Sequence, residues 1–208
     1  MSNNDPSLTN RTLMCVDALS TSVGRSFAWL ILLLTAAMTY EVFVRYALGA
    51  PTTWAFDFSY IAYGALFLMA GAYTLSRNAH VRGDFLYRRW RPRTQAMVDL
   101  VLYVIFFLPG VSALVYAGWG YARTSVQFRE VSIFSPAGIP IFPLKCLIPA
   151  AGLLLLVQGI AEIVRCGLCV RHGSWLQRLH DVEEMETAIL HQQEYLREHP
   201  HQQGRQGQ

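Results

Sequence analysis

The sequence predicts an all-α membrane protein with four transmembrane helices. Three observations carry that prediction. Hydrophobic residues make up 53% of the 208 residues and charged residues only 15%, against roughly 25% charged in a soluble domain. The charges are clustered, which leaves four stretches of about twenty apolar residues, the length a helix needs to cross the bilayer core. Between those stretches the basic residues, sixteen of seventeen of them arginine, fall unevenly.

Residues 1–26 form a mixed polar segment. The weak amphipathic pattern from Leu13 to Val23 lets a helix begin before the membrane does. The first span covers 27–48. Glu41 lies about 21 Å beyond Phe27 along a helix, in the far half of the bilayer. Glu41 and Arg45 stand four apart, the spacing of a structural pair on one helix face; a contact to a partner subunit and an ion-coupling role are the alternatives. A cleaved leader ending at "ALGA" is the rival reading, but the apolar region is too long for it. "GAPTTW" then makes a tight turn, with Thr as helix cap and Trp54 suited to an interface. The second span covers 54–75. The third covers 100–121, with Pro109-Gly110 at its middle. The fourth covers 141–163. Residues 164–208 are read as a cytoplasmic tail with a soluble acidic helix over 174–198 and a polar end.

Four spans put both termini on one side, together with the loop between spans two and three. That loop, "SRNAHVRGDFLYRRWRPRT", holds six arginines: Arg77, Arg82, Arg88, Arg89, Arg91 and Arg93. Short Arg-rich loops stay in the cytoplasm, so both termini are expected inside. Val81, Phe85, Leu86 and Trp90 fit one face of an interfacial amphipathic helix between helices 2 and 3, with the arginines meeting anionic lipid. A plain solvated, topogenic loop is the bland alternative. "RGD" over 82–84 is a coincidence of composition.

Small residues repeat at seven-residue spacing. Asp57, Gly64, Gly71 and Asn78 run along the second span. Tyr103, Gly110 and Ala117 run along the third, beside Phe106, Ala113 and Gly120. Gly152 and Gly159 repeat in the fourth. Such stripes are packing surfaces, because lipid gives no hydrophobic push between helices and close approach must replace it. They do not say whether the partner is this chain or another. The six histidines all lie outside the spans, so transmembrane haem is not expected. The spans lack paired Gly/Pro-broken segments of a transporter's own midplane site. No Ser/His pair sits at membrane depth, so no enzyme is expected. Four cysteines, Cys15, Cys146, Cys166 and Cys169, are too few for a disulfide framework, and "CGLC" is a helix end rather than zinc ligands. No cofactor, metal or nucleic-acid partner is expected.

Three stretches then match something known: "VFVRYALGAPTTWAFD", "GAYTLSRNAHVRGDFL" and "REVSIFSPAGIPIFPLKCLIPAAGLLLLVQGI". In this order on a four-span chain they resemble the small membrane subunit, DctQ type, of tripartite ATP-independent periplasmic (TRAP) transporters, over residues 25–165. The resemblance implies a partner: a large permease subunit that carries the substrate and sodium sites. It further implies that a periplasmic binding protein delivers an organic anion and that the small subunit braces the permease in a bacterial inner membrane. The matching positions are Arg45, Tyr46, Trp54, Asp57, His80, Arg82, Asp84, Glu130, Ser132, Gly138, Pro140 and Pro149. Asp57 stands where the family commonly has glutamate, and Gly83 where it has an apolar residue. A reading from another class stays open: a stand-alone four-helix adaptor or receptor that uses its acidic cytoplasmic tail.

Overall fold

The structure, a computed structural model, describes residues 8–77, 90–134, 136–173 and 175. Among the described residues there are six α-helices: α1 (Leu8–Ala28), α2 (Leu30–Ala47), α3 (Ala55–Ser76), α4 (Pro92–Leu102), α5 (Leu108–Gln127) and α6 (Phe142–His172). They assemble into four rods long and apolar enough to cross a membrane: Thr9–Ala47, Ala55–Ser76, Pro92–Gln127 and Phe142–His172. The described residues contain no strand, only an isolated antiparallel bridge between Val131 and Pro140. Asn78, His80, Arg82, Asp84, the segment read as interfacial up to residue 89, and all but Trp175 of the acidic helix expected over 174–198 lie outside the described residues.

The rods run past the bounds that hydropathy suggests. α1 continues the first span toward the N-terminus, with one interruption at Trp29, and α6 extends to His172. Gly173, in the left-handed region at φ 79°, ends α6 and donates its N–H to the Cys169 carbonyl. Glycine reaches that conformation without a Cβ penalty.

Between α4 and α5 the backbone widens into a π-helical turn, Tyr103–Phe107. The cause lies two residues on. Pro109 has no N–H to give, and its ring would collide with the carbonyl four residues back in a regular helix. The wide turn absorbs that conflict, with the Leu108 N–H bonding the Tyr103 carbonyl. Single π turns of this kind relieve a helix without breaking it. The turn also aims Phe107 at α6, where a Cβ added to Gly159 would lie 2.2 Å from the ring.

The core sits around α6, which packs against α1, α3, α4 and α5, while α2 leans on α3. The most apolar stretch of α6 is 39% buried, against 6% for the α4–α5 rod. Glycines permit this closeness. Gly64 and Gly71 of α3 face Leu144 and Leu155 of α6, and Gly152 of α6 faces Val115 of α5. The small-residue stripes of α3 and α6 are thus occupied within the chain. The packing face of α5 is a different one, through Gly118, Ala122 and Ser125, all buried. Gly118 lies against Ile148 and the buried Pro149.

Candidate functional site

The polar groups gather at the two ends of the bundle. At the loop end, Glu41 is buried and its carboxylate faces the start of the next helix. One oxygen accepts from Arg45 Nε at 2.9 Å and Nη2 at 2.5 Å. The other accepts from the Thr52 backbone N–H at 3.1 Å and from the Thr52 hydroxyl. A single carboxylate therefore ties the end of α2 to the turn before α3. The pair predicted from four-residue spacing is present, and Thr52 is the partner that spacing could not reveal. Trp54 stacks on Tyr40 at 6.3 Å and meets Phe58 edge-on at 6.1 Å. Tyr46, 82% exposed, contributes nothing to this knot.

The second loop closes onto the first. Asp57, in the first turn of α3, accepts from the Ser132 hydroxyl at 2.5 Å, and both residues are buried. Phe134 packs edge-on to Phe56 at 5.9 Å. Ser132 donates its N–H to Ile139 at 2.8 Å, and Ile141 donates to Glu130 at 3.0 Å. Gly138 sits at φ 63° between them, where the turn needs a left-handed residue. Glu130 pairs with Lys145 at 2.5 Å, and the ammonium lies 4.0 Å from the centroid of the Tyr121 ring. The Lys145 ammonium holds the Glu130 carboxyl below the usual carboxylate value.

At the other end lies a cluster that the sequence reading missed. Arg165 Nη2 meets Asp17 Oδ2 at 2.5 Å and Nη1 meets Glu162 Oε1 at 2.6 Å. Gln158 donates to Asp17 Oδ1 at 2.8 Å and accepts from the Ser20 hydroxyl at 2.9 Å. None of these five residues is more than 2% exposed. Burying charge this completely is tolerable only when each ion is paired and hydrogen-bonded. Hydropathy assigns Asp17 to a polar tail and Arg165 to the flank of a span. The signal was in the spacing instead. Asp17, Ser20 and Gly24 share one face of α1; Gln158, Glu162 and Arg165, at i, i+4 and i+7, share one face of α6. Gly24 completes the seam, since a Cβ there would lie 2.5 Å from Tyr73 of α3.

The stripe predicted on the third span has a separate fate. Gly110, Ala113, Ala117 and Gly120 are all exposed, and a Cβ at Gly110 or Gly120 would meet nothing within 4 Å. They face away from the chain's own bundle, beside Tyr116 and Trp119, which are 86% and 64% exposed. The cysteines are free thiols. Cys169 points at the Pro92 carbonyl, 3.8 Å away. Among the described residues no group of three or more His, Cys, Asp or Glu side chains could hold a metal ion.

Four rods with paired buried charges and an apolar exterior define a multi-pass helical membrane protein. The model of the DctQ component of the tripartite ATP-independent periplasmic transporters matches residues 34–167. The chain therefore belongs to that family and is a small TRAP transporter component. No curated protein matches it.

Proposed function

We propose that this chain braces the large permease subunit of a TRAP transporter in a bacterial inner membrane. The permease would move an organic anion, delivered by a periplasmic binding protein, with a sodium gradient. The observation that carries the reading is the family match over well over half of the chain. The geometry supports it in two ways. The buried ions close on one another within the bundle at its edges, Arg165 lying about 35 Å along α6 from Phe142. The small-residue face of α5 is left open to a second polypeptide.

Small residues at a lipid-facing surface let two backbones approach, so the permease docks along Gly110, Ala113 and Ala117. The arginine-rich terminal side faces the cytoplasm. The loop end, with Trp54, Asp57 and residues 130–140, then faces the periplasm, where the binding protein arrives. Coexpression of this chain with the permease should yield a one-to-one complex, and A113L/A117L should weaken copurification. Vesicle uptake should fail when the chain is omitted. Undiminished uptake without it sinks the proposal. Removing residues 174–208 should leave uptake near normal, whereas an adaptor working through its tail would lose its role.

A further inference from the structure

Arg25 of α1 and Arg77, which caps α3, line one open groove of about 450 Å³ together with Thr21, Ser22, Ser26 and Trp29. Among the described residues its lining holds two guanidinium groups, three hydroxyls and no carboxylate. The Arg77 guanidinium is steadied over the Tyr73 ring, 5.4 Å from the centroid. Ser26 gives its proton to the Ser22 carbonyl at 2.9 Å, which leaves the hydroxyls of Thr21 and Ser22 to donate. Guanidinium groups match the tetrahedral oxygens of a phosphate with paired, charge-assisted hydrogen bonds.

The depth of the groove identifies the carrier of that phosphate. α3 ends at Ser76, 22 residues after it begins, a length of about 33 Å at helical rise. The hydrocarbon core is about 30 Å thick, so the groove opens at headgroup level. Trp29, 69% exposed, is the residue type that favours this layer. Directly below it Leu32 and Leu33 of α2 are 58% and 56% exposed, a shelf for an acyl chain. We propose that the groove between α1 and the end of α3 binds the phosphate of an anionic phospholipid, with its acyl chain along α2. This inference is independent of the bracing role.

The full chain in nonionic detergent is titrated with short-chain phosphatidylglycerol, and bound lipid is counted by native mass spectrometry. One retained lipid is expected, and R25Q/R77Q should weaken its binding about tenfold, the loss of a charge-assisted hydrogen bond. R25K/R77K keeps the charge without the paired geometry and should fall between. R123Q/R129Q, at the opposite end, should bind like the unaltered chain. Arg25 is exposed, so R25Q alone serves should the double variant fail to fold, with a smaller loss in the same direction. Equal binding by R25Q and the unaltered chain overturns the assignment. So does displacement of the lipid by an equal concentration of inorganic phosphate, which marks a free-anion site. Equally tight phosphatidylcholine overturns the anionic preference.

Discussion

The two ends of this bundle handle their ion pairs in opposite ways. At the terminal end, Asp17 and Arg165 are each 1% exposed and join helices 148 positions apart in sequence. At the loop end, the Arg45 side chain is 51% exposed and Glu130 is 42% exposed, and their partners lie 4 and 15 positions away. A charge that must hold two remote helices together has to be dry to be strong. A charge that only closes a loop can share its partner with water, and is correspondingly weak. The terminal end is therefore where the fold is clamped, and the loop end is where it is finished.

That contrast breaks most sharply at Arg165. R165M leaves Asp17 and Glu162 buried without their cation and should cost about 3–5 kcal/mol. Thermal unfolding in detergent should show the largest drop of any single substitution, and a loss no greater than that of Arg45→Ala would erase the distinction. Next comes the steric seam beside the clamp. Gly159→Leu drives a side chain into Phe107 and should destabilise by about 1–3 kcal/mol or more. Gly110→Leu, on the open face of α5, should leave the isolated chain unchanged, so the pair separates inner from outer stripes in one melting experiment.

At the loop end, Asp57→Ala removes the acceptor of the buried Ser132 hydroxyl, which keeps only the Phe134 N–H as a partner, and should cost about 1–3 kcal/mol. Proteolysis between residues 128 and 141 reads this more directly than melting does. The smallest effect is acid sensitivity at Glu130. Its carboxyl is held below the ordinary value by Lys145. Its contribution is thus fully present above the unfolded carboxylate value of about 4.3, and is lost as pH falls through the lower folded value. E130Q should flatten that limb of the stability profile. An unchanged slope in E130Q would show that Lys145 contributes nothing there.

Much of this was legible in the residues. Four spans follow from hydropathy, because a helix in lipid must be apolar outside and must satisfy its own backbone. Glu41 with Arg45 follows from spacing, because four residues bring side chains to one face. Gly64, Gly71, Gly152 and Gly159 were legible as packing positions, though not their partners. The stripe through Gly110, Ala113 and Ala117 was equally legible and has the same period, yet it points the other way. Periodicity identifies a face but not what lies opposite it. Asp17 was hidden for a related reason: a polar residue outside the apolar window reads as solvent-exposed until a second helix is laid over it.

By itself, then, the sequence determined that the chain crosses the membrane four times, where the turns fall and which family it belongs to by resemblance. Those properties depend on local transfer free energy and on near-neighbour geometry, both of which act along the chain. Only the tertiary structure decided that α1 is clamped to α6 by Asp17 and Arg165, that Pro109 is absorbed by a π turn, and which glycine face stays open. Those outcomes depend on how rods with more than one usable face rotate against each other, and that rotation is fixed by every contact at once.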